Sequence, residues 1–470
     1  MSIYKSTFTL VCLSLFIFSC STNKSSPASN AAIDALFSEW DRPDSPGYGL
    51  GVIKDGELIY AKGYGLADLE HNIPISSSSV FYIGSVSKQF VTMSILLLEE
   101  EGKVNLDDEI QVYLPDFPRY NAPLTIRNFI HHTSGVRDNL TLWGLAGGDI
   151  LDHIEDEAIY EMIKRQKELN FTPGERYLYS NSCYFMLAMV VEEASGESIK
   201  DYADKNIFGP LGMTNSHFHD DHSHLIKDKA FSYSPNNEGF NNLIMRFDLV
   251  GSGGVYSNIE DMYLWDQNFK HNILGKGGQE IIEKMHTNGL LNNGKSTGYA
   301  FAIANGTYRG LRTAGHSGAL AGYRANHMRF PDQNFSVILL GNLSSHNSTL
   351  MAQKVAEVYL EDQMEPIENK EVNTNTTNSN EATPYEVTNP EQYIGTYFSE
   401  ELAVNYTISY EYGRLYCRVK HNPSMAMTGN SKDTFRFQGA RAVFTRVNNK
   451  ISGFSLDAGR VQHLDFVKID

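Results

Sequence analysis

Several common classes of protein are closed to this chain by what it lacks. Four cysteines in 470 residues, Cys12, Cys20, Cys183 and Cys417, are too few and too scattered for a disulfide framework. Basic charge is in deficit: 39 Lys and Arg stand against 56 Asp and Glu, a net charge of −17, and no long basic run interrupts the excess. Such a chain repels nucleic acid and anionic lipid, so no nucleic-acid partner is expected. The apolar stretch at residues 8–18 is too short to cross a bilayer, which takes about 20 residues. What remains is ordinary for a globular protein, with 41% hydrophobic and 20% charged residues and a length that suggests two to four domains.

The first residues read as an export signal. Lys5 supplies positive charge, residues 8–18 an apolar core, and Ile17-Phe18-Ser19-Cys20 resembles a bacterial lipobox, in which the cysteine is acylated and becomes the new first residue. On this reading residues 1–20 are removed or processed and Cys20 is the lipidation site. Residues 21–30, rich in Ser, Asn and Lys, form a flexible tether. The expected location is the periplasm or the outer membrane, with the membrane as partner through the lipid alone. Cys183 and Cys417 then fall in different domains.

Residues 31–40 have helical spacing, with Ile33, Leu36 and Phe37 on one face. Residues 49–53 and 58–64 read as strands joined at Asp55-Gly56, a strong hairpin signal. A helix is expected over 85–101, closed by Gly102. Residues 104–290 are mixed and mostly helical, strands return at 298–304, 309–316, 323–330 and 335–340, and a helix follows at 349–360. Strands at both ends with helices between predict an α+β fold: one antiparallel sheet built from both ends of residues 31–362, flanked by helices and carrying a helical insert. Residues 363–390, crowded with Asn, Thr, Glu and Pro, read as a disordered linker. Residues 391–470 carry seven short strand signals at regular spacing, which predict a small antiparallel β-barrel, lipocalin-like in size and order.

Three short motifs carry chemistry. Ser85-Val86-Ser87-Lys88 places a serine and a lysine on one face of a helix start, where free N–H groups and the dipole favour a developing anion. A partly buried lysine whose pKa falls can take the serine's proton. Alone the spacing means little, since Ser21-Thr22-Asn23-Lys24 repeats it. Tyr179-Ser180-Asn181 offers a phenol for proton relay and an amide for a substrate carbonyl, and Tyr256-Ser257-Asn258 offers the same. His316-Ser317-Gly318 falls at the end of an expected strand, where the next N–H can face a cleft.

In this order the three motifs resemble those of the serine β-lactamase and penicillin-binding family, in the branch of class C β-lactamases, DD-carboxypeptidases, D-aminopeptidases and related esterases. Flanking segments agree: Phe81-Tyr82-Ile83-Gly84 before Ser85, Leu124-Thr125-Ile126-Arg127 through His132-Thr133-Ser134-Gly135, Pro173-Gly174-Glu175-Arg176 before Tyr179, Pro210-Leu211-Gly212-Met213, and Gly253-Gly254-Val255. The likeness covers residues 35–360. It implies that Tyr179 and Asn181, which follow the Pro-Gly segment, are the functional pair rather than Tyr256 and Asn258. It further implies a Ser85 acyl-enzyme, with Lys88 or Tyr179 as base, and the N–H groups of Ser85 and Ala319 as oxyanion hole. Asn181, His316, Ser317 and Gly318 would bind substrate. No cofactor is implied. His-x-Gly in place of Lys-Thr-Gly departs from the class C β-lactamases and favours a D-amino-acid peptide or an ester over a β-lactam. The alternatives are a carboxylesterase and a penicillin sensor that acylates without turnover. Oligomeric state is not legible.

Other residues invite readings that are weaker. His217, His219, His222 and His224 surround Asp220 and Asp221, but their spacing fits no zinc motif, and no metal is expected. Glu175 lies in a turn. His131 and His132 read as structural, and Ser134 lacks a lysine three residues on. Tyr393, Tyr397, Tyr406 and Phe437 read as barrel core.

Overall fold

The computed structural model describes residues 26–367, 385 and 387–470. The signal segment with Cys20, residues 21–25 of the tether and most of the linker lie outside these. A six-stranded antiparallel sheet runs in the order Ala304–Tyr308, Leu311–Leu320, Tyr323–Phe330, Phe335–Gly341, Tyr48–Lys54, Glu57–Tyr64, so the two ends of the first domain meet at its centre. There Tyr48 pairs with Gly341 and Lys54 with Phe335. The hairpin turns on Asp55 and Gly56, both at positive φ.

Alternation along the central strand separates two cores. Tyr48, Leu50 and Val52, with Val337 and Leu339, pack under helices Pro27–Phe37 and Ser348–Leu360. The opposite face carries Gly49 and Gly51, because helix Ile259–Asn268 lies directly on it. A Cβ on Gly51 would come within 2.6 Å of the Ile259 side chain. Beyond that helix the insert packs Lys88–Glu100 against Asn181–Ser195, both buried along most of their length. The second of these ends at Gly196 in the left-handed region. Cys183 and Cys417 are free, buried thiols.

Residues 395–468 form a closed eight-stranded barrel, sealed where Gly395–Ser399 pairs with Val461–Lys468. Rings from Tyr397, Tyr406, Phe435, Phe444, Phe454 and Phe466 fill its interior at centroid spacings of 4.5–6.4 Å.

The structure corrects the sequence in four places. The first helix begins at Pro27, capped by Ser26, so residues 27–30 are helical rather than tether. The strand expected at 298–304 instead spans Ala304–Tyr308, because Gly298 and Ala302 adopt positive φ and turn the chain. The strand expected to end at 316 runs on to Leu320, so His316 lies in mid-strand. An eighth barrel strand, Met425–Ser431, had no signal in a segment containing Gly429 and Asn430. Among the described residues no helix is long and apolar enough to cross a membrane.

Candidate active site

Ser85 lies in a short 3-10 turn, Gly84–Ser87, that feeds helix Lys88–Glu100. The turn is clamped by its neighbours: Ser87 Oγ accepts from Val255 N–H at 3.1 Å, and Tyr82 Oη accepts from Gly254 N–H at 3.0 Å. Those bonds hold the 251–255 turn against the Ser85 segment and aim the Ser252 carbonyl at Lys88. On the other side strand Leu311–Leu320 presses on Ser85. A Cβ on Gly318 would lie 2.0 Å from Ile83 O and 2.9 Å from Ser85 N, so only glycine allows the approach that sets the Ala319 backbone beside Ser85.

Lys88 is fully buried. Its Nζ lies 3.0 Å from Ser85 Oγ, 3.0 Å from Asn181 Oδ1, and in hydrogen-bonding contact with Ser252 O. Burial pushes its pKa well below the ordinary lysine value; the charge of Asp138 opposes this and that of Arg460 adds to it. Two of its three hydrogen-bond partners are carbonyl oxygens and the third is the Ser85 hydroxyl, so no carboxylate bonds the amino group directly.

Tyr179 ends the loop before helix Asn181–Ser195. Its ring lies 4.9 Å from Lys88 Nζ, and its buried hydroxyl faces Ser85 without a hydrogen bond of full geometry. Burial raises its pKa, so it is a phenol at neutral pH. The buried His132 ring backs it at 4.1 Å, at positive φ, with Nδ1 accepting from Ser180 N–H at 3.2 Å. His316 Nε2 accepts from Tyr299 Oη at 3.0 Å while Nδ1–H donates to Ser317 O at 2.6 Å, which fixes one neutral tautomer. Burial lowers its pKa to about 4. Ser85, Tyr179, Asn181, His316, Ser317, Gly318 and Ala319 all line one cleft of about 820 Å³.

Tyr256, the duplicate, sits elsewhere: it pairs with Tyr82 and His217 in a small buried sheet. Ser134 bonds Cys183 Sγ and Val136 N–H, His131 bonds Ala300 O, and Glu175 is exposed outside the cleft. The histidine run disperses. His217 meets His219, His224 meets Asp221, and His222 joins His153 on Asp248.

Four contributors had escaped notice. Asp138 caps helix Asn139–Leu145 with one oxygen and accepts from Asn181 N–H at 2.6 Å with the other. It follows the quoted His-Thr-Ser-Gly segment by three residues, the one signal available. His132 had been read as structural only, and Tyr299 stands in no motif. Arg460 comes from the barrel, at a Gly-Arg hairpin tip that a sequence places in solvent.

The beta-lactamase family model matches residues 33–360. The chain is 30% identical over 314 residues to a putative penicillin-binding protein, PbpX, of Bacillus subtilis (strain 168), covering 66% of this chain and 73% of that one. It is 28% identical over 299 residues to a D-aminopeptidase of Cereibacter sphaeroides, covering 63% of this chain but 57% of the relative, less than two thirds of its length. Among solved structures, the octameric penicillin-binding protein homologue from Pyrococcus abyssi superposes with a TM-score of 0.63 at 22% identity, covering 94% of this chain and 99% of that one.

Proposed function

The chain belongs to the beta-lactamase family, and from that premise we propose that it is a serine hydrolase working through an acyl-enzyme on Ser85. The observation that carries the reading is the buried Lys88 amino group, 3.0 Å from Ser85 Oγ and otherwise bonded only to the carbonyl oxygens of Asn181 and Ser252, where burial lowers its pKa. Ser85 Oγ attacks a carbonyl carbon as Lys88 takes its proton. The N–H groups of Ser85 and Ala319 receive the oxyanion; losing one such donor costs about 10²–10³ in rate. Tyr179, a phenol too weakly acidic to be the resting base, passes the proton on to the leaving atom. Water then releases the acyl group by the reverse relay. Asn181 and the 316–318 strand segment hold substrate. His132 and Tyr299 position Tyr179 and His316.

A D-amino-acid peptide or an ester is the substrate class we favour over a β-lactam, because His316 occupies the place of a lysine in the third motif. Intact mass of the protein from residue 21 onward, which keeps the first helix and its Ser26 cap, followed in time with benzylpenicillin, tests the nucleophile. An adduct on wild type and none on Ser85→Ala supports the assignment, and a stable adduct on Ser85→Ala removes it. Clearance of the adduct marks turnover, and persistence marks a carboxypeptidase-like or sensor-like site.

The Ile17-Phe18-Ser19-Cys20 segment supports a second proposal, export as a lipoprotein anchored through Cys20. Metabolic labelling with palmitate is expected on the wild type and absent on Cys20→Ser.

A further inference from the structure

Cationic groups near Ser85 are few, and their states differ. Lys88 is buried, its pKa is lowered, and its amino group is engaged by Ser85 Oγ, Asn181 Oδ1 and Ser252 O. Arg324 lines the cleft, but its guanidinium is engaged by the carbonyls of Ala321, Tyr323 and Ser344 at 2.7–3.0 Å. His316 is neutral at physiological pH.

Arg460 is different. It stands at the tip of the hairpin joining barrel strands Lys450–Ala458 and Val461–Lys468, outside the residues shared with the family. Its backbone is fixed, with Arg460 O accepting from Asn170 Nδ2 at 2.9 Å. Its guanidinium lies over the Tyr179 ring at 4.7 Å and lines the cleft with its side chain 43% exposed. Its Nη1 forms a long ion pair with the buried Asp138, 3.8 Å from Oδ2, beyond hydrogen-bond range, and that oxygen already accepts from Asn181 N–H. Among the described residues no side-chain hydrogen bond to this guanidinium occurs. A planar fork of N–H donors thus lines the cleft beside the proposed proton relay, ion-paired at long range but with no hydrogen-bonded acceptor among the described residues.

We infer that Arg460 is an anion-binding residue of the cleft, lent by the barrel, which takes a carboxylate carried by the substrate and repels an ammonium in the same place. The inference rests on the Ser85 reading and narrows it. The sign of the charge favours an acidic substrate over one that presents a free amino group there, as an aminopeptidase substrate does. A planar fork pairs with a carboxylate in two parallel hydrogen bonds, so the preference is for carboxylates in particular.

The test uses three matched p-nitrophenyl esters: the mono-adipate with a terminal carboxylate, the neutral hexanoate, and the 6-aminohexanoate with a terminal ammonium. Rates are corrected for spontaneous hydrolysis. In the wild type kcat/KM is expected to fall in that order, about fivefold per step for a half-exposed charge, chiefly through KM and less steeply at high salt. Arg460→Lys should keep the order, Arg460→Ala should bring the three within about twofold, and Arg460→Glu should invert it. Because each ratio is taken within one variant, a general loss of activity cancels. Equal rates in the wild type, or an order that survives Arg460→Glu, overturns the inference. The Ser85→Ala control separates the two failures: ester hydrolysis that persists there removes the nucleophile, and the inference falls with it.

Discussion

Lys88 is held where an ammonium is poorly tolerated. It is wholly buried, no carboxylate touches it, and its three contacts are two carbonyls and a hydroxyl. In the unfolded chain the same group titrates near 10.5. Between the lowered native pKa and that value the unfolded state binds the additional proton, so the lysine's contribution to stability becomes more favourable as pH rises and is a penalty at neutral pH. Lys88→Met replaces it with an apolar chain of similar length. We expect the variant to lose acylation and yet melt higher than the wild type at pH 7, by a few degrees, with the advantage shrinking as pH approaches 10. Thermal melts of both proteins across pH 6–10 check this; a melting difference that stays flat or grows with pH contradicts the assignment. On the proposed mechanism the same lysine should set the rising limb of the pH–rate profile, below the ordinary lysine range. His316, at about 4, should not affect activity until the medium is far more acidic.

At the scale of elements, the site is made by the approach of strand Leu311–Leu320 to the 3-10 turn at Ser85. Gly318→Ala pushes a methyl toward Ile83 O and Ser85 N. The expected result is a loss of about 10²–10³ in acylation rate with a smaller fall in melting temperature, read by stopped-flow and calorimetry. Acylation at the wild-type rate would show that the approach is not needed. The elements also show what a sequence can carry. The Asp55-Gly56 hairpin, the closure of helix Lys88–Glu100 before Gly102, and helix Ser348–Leu360 were legible because turn chemistry and periodicity are local. The strand over Met425–Ser431 was not, since a sequence reading GNS stays extended only through its neighbours in the closed barrel. Ser85, Lys88, Tyr179 and Asn181 stand in recognisable strings. Tyr299 and the Ser252 carbonyl reach the site through packing, to which single residues give no clue.

At the scale of the whole molecule, a buried cation stands at the centre of the contacts that fasten the barrel to the hydrolase domain. Arg137 is fully buried and donates to Glu401 Oε1 at 2.6 Å, Gln462 O at 2.9 Å and His463 O at 2.9 Å, all in the barrel. Glu401 is itself 5% exposed and also accepts from Lys167 N–H at 2.8 Å. Removing one partner leaves the other charge buried, at a cost of about 3–5 kcal/mol. Two of the bonded carbonyls follow Arg460 within three residues, so the same contact places the guanidinium over Tyr179. Arg137→Met should therefore raise hydrogen exchange at residues 460–463 and flatten the adipate-to-aminohexanoate preference even though Arg460 is intact. Adding Glu401→Gln removes the stranded carboxylate and should recover part of the lost stability without restoring the preference, because the bonds to Gln462 and His463 remain missing. Were Arg137→Met to keep both full exchange protection and the charge preference, the barrel would be docked by its remaining contacts, and Arg460 would owe its position to Asn170, Arg176 and Asp138.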